Sequence, residues 1–371
     1  MTQKKDMGMK SNTGRFEVDL IVAPGHPMYH GSSVLSGLAL LESRGAICLR
    51  LKKGTALDSH PRALIRLDVR NVGGTRRKLI IDLADRADSF SIAAIEQSDL
   101  YFKRSFVSSD ILALTACRTE RIVPFGLNFA SLNRRAIATH LRIAVNLLSQ
   151  RLSAQHSKKV DSALREFAQR VQLAYGIPSA AAFECIARGT GSKSEGTVLL
   201  QTRIWPPQPR GDDFEGVNKN RIALVQALQV GLGARFVGGI IADEFSESNC
   251  PSKALIRSAT NMREYAREVK KARIGVYVRG LHDSLGFKMA EYLAAGLCIV
   301  SEPLRHELPV SLQEGINYLP FTSPEECLAQ CLRLLSHPVD AERMRAANLD
   351  YYRRWVEPSA HMWNVLTRSF Q

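Results

Sequence analysis

Residues 283–302 read DSLGFKMAEYLAAGLCIVSE, and this stretch decides how the chain is built. Gly280 and Gly286 bracket a loop, Phe287 to Ala295 suits a helix, and Gly296 suits its left-handed cap. Leu297 to Val300 is a continuous apolar run of the kind that buried parallel strands show. A strand that starts directly after a capped helix is half of a βαβ unit. Asp283 and Glu291 add two acids, and Lys288 lies three residues before Glu291, so on a helix the two share a face. The helix start near Gly286 turns free N–H groups and a partial positive charge outward, which suits a phosphate. The stretch thus combines an anion cradle, a cation and two acceptors for hydroxyls.

These residues resemble the signature region of GT-B glycosyltransferases, α/β enzymes with two facing Rossmann-like domains and a cleft between them. Within that class they most resemble the large retaining group related to family 4, the group 1 glycosyl transferases. That group carries two acids separated by seven residues, a Gly three after the first, and Ala-x-Gly-x-Pro-Val-Ile after the second. Asp283, Gly286, Glu291, Ala294 and Gly296 stand at these positions. The chain departs from the pattern twice: the first acid is Asp rather than Glu, and Cys298 stands where Pro is common. The resemblance is strong over roughly residues 196–325 and weak over the N-terminal half.

The resemblance implies a nucleotide-diphosphate sugar as donor. Arg203, at the end of the predicted strand Thr197 to Arg203, matches the Arg that pairs with the donor diphosphate, and a guanidinium fork suits phosphate. Lys219, Arg221 and Lys288 are the candidate assisting cations. Glu291 would take the ribose hydroxyls and Asp283 the donor sugar. His282, Ser284 and Gly286 belong to the same loop, and Glu302 lies at the carboxyl edge of the following strand. The predicted donor-binding set is therefore Arg203, Lys219, Arg221, His282, Ser284, Gly286, Lys288, Glu291 and Glu302.

A chain of 371 residues points to two domains, since single cores stop growing near ~250–300 residues. The expected divisions are an arm at 1–15, an acceptor-side Rossmann-like domain with a helical extension at 16–190, a nucleotide-sugar domain at 191–350, and a final helix at 351–371 that returns to the first domain. Gly189 to Gly196 (GTGSKSEG) is the expected junction. No apolar run approaches the ~20 residues that cross a bilayer. The polar N-terminus has no apolar stretch to make it a secretory signal, and the seven cysteines form no CxxC pair. A cytoplasmic protein with reduced thiols is expected.

The net charge of +14 is uneven, with 28 Lys and Arg against 16 Asp and Glu in residues 1–190, and 22 against 20 in the rest. An anionic membrane surface at the inner face, a nucleic acid and plain solubility compete to explain the basic half. Aromatic residues do not interleave the basic ones and no nucleic-acid module appears, so nucleic acid is not expected as a partner.

Phe16 to Ala23, Ile47 to Leu51, Lys78 to Leu83, Asp99 to Lys103 and Arg121 to Val123 read as strands. Helices are expected at Val34 to Glu42, Ile92 to Gln97 and Ser108 to Ala116, then at Ala136 to Leu152, Val160 to Tyr175 and Ala180 to Arg188. His26, His30 and Ser32 lie in the first turn after the first strand, where open α/β sheets bind ligands. Asp82 and Asp85 end the KLIIDL strand; they suit an acceptor-positioning or general-base role, or the cap of the next helix. With Asp283 and Glu291 they complete the catalytic candidates. The sequence has no P-loop, no HExxH and no His/Cys cluster at metal spacing, so catalysis without a metal or other cofactor is expected. A glycan or lipid-linked acceptor fits the resemblance. The rival readings are a sugar-nucleotide epimerase of the same fold and a nucleotide-sugar-binding protein without turnover.

Overall fold

The computed structural model describes residues 16–23, 26–54, 64–114, 118–154, 164–165, 167–169, 171–172, 176–184, 196–207, 214–258 and 261–371. The expected arm at 1–15, the Pro24-Gly25 turn, most of the helix at 160–175 and the junction at 189–195 lie outside the described residues.

Two six-stranded sheets form the two Rossmann-like lobes. The N-terminal sheet has the order β2-β1-β3-β4-β5-β6. Its strands are β1 (Phe16–Val22), β2 (Ile47–Lys53), β3 (Leu64–Arg70), β4 (Arg76–Asp82), β5 (Leu100–Lys103) and β6 (Ile122–Pro124). β1 alternates buried and half-buried residues, so Val18, Leu20 and Val22 face the core while Glu17 and Asp19 face out. Helix α1 (Ser32–Ser43) and the long helix Arg134–Ala154 cover the apolar side. On the outer side Arg50 pairs with Asp19 at 2.6 Å and with Glu17 at 3.0 Å. Some of the basic surplus sits on this face, at Arg66, Arg70, Arg76 and Lys78.

β3 was not among the expected strands. Its alternation of Ile65, Leu67 and Val69 is a half-buried strand pattern, and it pairs antiparallel with both neighbours, Leu67 lying opposite Leu20 on one side and Leu79 on the other. A five-residue turn through Gly74, at φ 82°, makes β3 and β4 a hairpin. The short α2 (Ile92–Glu96) starts at Ser91, whose hydroxyl accepts from the Ala94 N–H. The acids at the end of β4 therefore do not cap it. Only a single turn, Ala180–Ala182, is described where a third helix was expected.

The C-terminal sheet is parallel throughout. Its strands are β7 (Val198–Thr202), β8 (Phe236–Ile241), β9 (Leu255–Ile256), β10 (Ile274–Tyr277), β11 (Cys298–Ser301) and β12 (Leu319–Pro320). Counted from β7, the spatial order β9-β8-β7-β10-β11-β12 is 3-2-1-4-5-6, the Rossmann order. The order reverses between β7 and β10, which opens a crevice at their carboxyl ends. The helix Phe287–Ala295, here called the signature helix, connects β10 to β11, and Gly296 at φ 60° caps it in the left-handed conformation.

The closing helix, Pro358–Arg368, returns to the N-terminal lobe. Met362, Val365 and Leu366 join the core of β1 and α1, and Phe16 contacts both Trp363 and Phe370 with ring centroids 5.6 Å apart. Gly37 of α1 permits this seat, because a Cβ there would stand 2.1 Å from the Pro358 carbonyl oxygen. No helix among the described residues is long and apolar enough to cross a membrane.

Gly37→Ala is expected to lower stability by about 1–3 kcal/mol, the usual cost of overpacking. Denaturant unfolding followed by tryptophan fluorescence checks this, and an unchanged midpoint would show that the closing helix is not seated as described.

Candidate active site

The crevice between β7 and β10 opens into a cleft of about 610 Å³ between the lobes. Its floor is the amide end of the signature helix. Gly286 is the N-cap, and no side chain caps the helix. Gly286, Phe287 and Lys288 all line the cleft, so the first-turn amides face it. The turn before the helix is held from below: the Tyr277 hydroxyl donates to the Ser284 carbonyl at 3.1 Å and accepts from the Gly286 N–H at 2.8 Å. The Leu285 N–H donates to His306 Nδ1 at 3.2 Å. Burial raises the Tyr277 phenol to about 12 and lowers His306 to about 4. Tyr277 therefore keeps its proton and His306 stays neutral near pH 7, as these bonds require.

Lys288 and Glu291 lie one turn apart on the cleft side of the helix, as their spacing predicts. Glu291 is only 4% exposed yet lines the cleft. Burial raises its pKa, against the pull of Lys288 and of the Tyr265 hydroxyl. Half-buried Lys288 places its ammonium 4.4 Å from the Tyr265 ring centroid. Burial lowers its pKa, Glu291 opposes that shift, and Arg221 and Arg203 add to it. The site thus holds more positive charge than its own acids balance.

Arg203 lines the cleft at the end of β7, half exposed, with Asp243 3.8 Å away. Arg221 lines it too, but its guanidinium is committed. It donates to the Arg203 and Arg279 carbonyls, the latter at 2.6 Å, and it stacks 4.1 Å over the Trp205 ring. Arg221 thereby ties the carboxyl ends of β7 and β10 together across the crevice. Ser284 lies in the cleft wall.

The N-terminal lobe supplies the opposite wall through Tyr29, His30, Asp85 and Arg104. Of the first-turn candidates only His30 reaches the cleft. His26 is buried, and the Ser32 hydroxyl is buried against the Ser131 N–H. Tyr29 and His30 pack against Phe287 with centroids 6.1 and 5.7 Å apart, which closes one end.

Several predicted site residues lie elsewhere. Asp82 is wholly buried and accepts from Tyr101, from Lys103 at 2.9 Å and from the Ala84 N–H, so its carboxylate is spent inside the lobe. Lys219 is exposed on the helix Phe214–Leu232, paired with Glu215 at 2.7 Å and away from the cleft lining. Asp283 is held by Arg279 at 2.6 Å and Arg305 at 3.3 Å, outside the lining. Glu302 accepts from the Arg279 N–H at 2.6 Å, and neither Glu302 nor His282 lines the cleft. His282 and Asp283 have φ 58° and 57°, a strained pair of left-handed residues on the loop that leads into the site. Sequence reading missed Tyr265, Tyr277, Trp205 and Arg104. Arg104 had one legible signal, as the first residue past a buried strand.

Residues 221–364, less than half of the chain, match a protein-family model described as glycosyl transferase-like. Over that span the chain is similar to the glycosyl transferases. Among solved structures, a glycosyltransferase from Rickettsia africae aligns at 10% identity over 74% of this chain and 64% of its own, with a TM-score of 0.39. The C-terminal domain of a glycosyl transferase group 1 family protein from Francisella tularensis aligns at 10% identity over 46% of this chain and 94% of its own, with a TM-score of 0.33. A UDP-GlcNAc 2-epimerase from Neisseria meningitidis, bound to UDP-GlcNAc, aligns at 13% identity over 76% and 63%, with a TM-score of 0.37. The chain spans less than two thirds of the Rickettsia and Neisseria chains. At these TM-scores the alignments decide nothing about the site, and the fold rests on the strand order above. No curated protein matches the sequence.

An anion seated beside Lys288 would restore its ammonium toward the ordinary lysine value near ~10.4. Pyrophosphate binding in the alkaline window below that value is therefore expected to take up protons. Titration calorimetry in buffers of different ionisation enthalpy measures the uptake, and Lys288→Arg should abolish it. Binding with no uptake in the native protein would remove Lys288 from the anion site.

Proposed function

We propose that the cleft binds a nucleotide-diphosphate sugar and that the protein transfers the sugar to an acceptor hydroxyl entering from the N-terminal wall. The observation that carries this reading is the grouping of Lys288, Glu291 and the uncapped amide end of the signature helix on one side of the cleft, with Arg203 at its edge. A leaving diphosphate needs positive charge that is already in place, and the helix end, Lys288 and Arg203 supply it without rearrangement. Glu291 is a buried acceptor suited to a pair of ribose hydroxyls. In the transfer, the bond from the anomeric carbon to the diphosphate oxygen breaks, a bond to the acceptor oxygen forms, and the acceptor's proton passes to the departing diphosphate. Asp85 and His30 face the side from which that acceptor would come. The resemblance implies retention at the anomeric carbon, which the product's NMR couplings test. A glycan or a lipid-linked sugar is the acceptor class in this reading.

A panel of nucleotide sugars screened by thermal shift is expected to give one donor that raises the melting point by mass action. Glu291→Gln should weaken that donor roughly 10–100-fold, the worth of hydrogen bonds to a charged group, with the far-UV spectrum unchanged. Unchanged affinity would remove Glu291 from the donor site. Conversion of one nucleotide sugar into another with no acceptor would replace the transferase reading with an epimerase.

Transfer activity is expected to survive a chelator, since the proposed neutralising charges are all side chains and backbone amides. Activity lost to EDTA and restored by a divalent cation would show that the cationic set is incomplete.

A further inference from the structure

Arg104 is the first residue past β5, on the N-terminal lobe, and its side chain is 4% exposed. One end nitrogen donates to the Asp85 carboxylate at 2.5 Å and to the Leu83 carbonyl at 3.3 Å. The other crosses between the lobes and donates to the Leu285 carbonyl at 2.8 Å. Its carbon centre lies 5.3 Å from the Phe287 ring centroid, and its Nε has no partner. Leu285 is the residue directly before the helix cap, and its N–H is already held by His306. The last residue of the strained loop is therefore gripped from both lobes: its N–H by the C-terminal lobe and its carbonyl by the N-terminal lobe.

We infer that Arg104 is a positioning residue, an inter-lobe latch that fixes the turn before the signature helix, so that the helix amides and Lys288 are set only while the lobes are closed. A guanidinium suits this because two of its nitrogens can serve two lobes at once, which an ammonium on a lysine stem cannot reproduce. Breaking the bond would leave a buried Leu285 carbonyl without its donor, beside two residues already in the left-handed region, so the local cost falls on the loop. Asp85 has a matching part, since its carboxylate orients the guanidinium from the cleft wall. The inference rests on the donor-binding reading for its effect on ligand affinity, and not for the latch itself.

Hydrogen exchange measured by mass spectrometry on the full ligand-free chain tests the latch. In Arg104→Lys, peptides covering 281–290 are expected to exchange about tenfold faster, the lower end of what a charge-assisted hydrogen bond is worth, while peptides of β4 and β10 keep their protection. Asp85→Asn, which removes the orienting charge without touching the loop, should give a smaller change in the same peptides. Unchanged exchange at 281–290 overturns the latch. Equal loss of protection in loop and core also overturns it, because Arg104 would then only stabilise the fold. Pyrophosphate is the affinity probe: its Kd should rise about tenfold in Arg104→Lys in step with the loop exchange. A faster-exchanging loop with unchanged Kd overturns the link to the ligand. If the native protein binds neither pyrophosphate nor any nucleotide sugar, the transferase reading falls while the exchange data still decide the latch.

Discussion

The site depends on a buried phenol. Tyr277 ends β10 beneath the turn that launches the signature helix, and its one hydroxyl serves both sides of that turn, donating to Ser284 and accepting from Gly286. The turn has little else to define it: two residues before Ser284 sit at positive φ, and the helix start has no side-chain cap. A buried hydrogen bond left unmade costs about 1–3 kcal/mol, and the loss of both would free the helix start from the end of β10. That strand end is in turn bracketed by Arg221, which joins it to β7. The crevice created by the 3-2-1-4-5-6 order thus receives a helix end at a fixed place.

The charges around that helix end are in tension. Burial pushes Lys288 toward losing its proton and Glu291 toward gaining one, and each partly offsets the other's shift. Arg203 and Arg221 add further positive potential, while the acids nearest the entrance are already engaged: Asp283 with two guanidinium groups and Asp85 with Arg104. In the donor-binding reading proposed above, an anion beside Lys288 would relieve this tension.

The signature helix was legible to the residue, from Phe287 to the Gly296 cap, because apolar spacing, a terminal glycine and a following β-rich run all point the same way. β3 was not legible as a partner of β1, since Leu64 to Arg70 follows a long polar stretch and carries three charged positions among its apolar ones. Only the sheet shows that it is half-buried. Acids at strand ends were the hardest to sort. Asp82 and Asp85 stand three residues apart at one sheet edge, yet one faces Lys103 inside the lobe and the other faces the cleft. A three-residue step past a strand end carries no fixed period, so sequence cannot say which side each takes. Arg104 was hidden for a related reason, as its role lies in a carbonyl 181 positions away.

The shorter first acid of the signature has a physical setting in this chain. Asp283 is gripped by Arg279 from its own loop and by Arg305 from the segment after β11. Arg305 also reaches Asp110 of the N-terminal lobe at 3.3 Å, and next to it Glu307 accepts from Ser108 of the same lobe. Asp283 is therefore part of a charged cluster that links the two lobes, while Arg104 links them at Leu285. In this chain the Asp283 carboxylate is taken up by that cluster, outside the lining of the cleft. The two ties lie two residues apart on one loop, so the loop that launches the signature helix is joined to the N-terminal lobe directly through Leu285 and by way of Arg305 through Asp283.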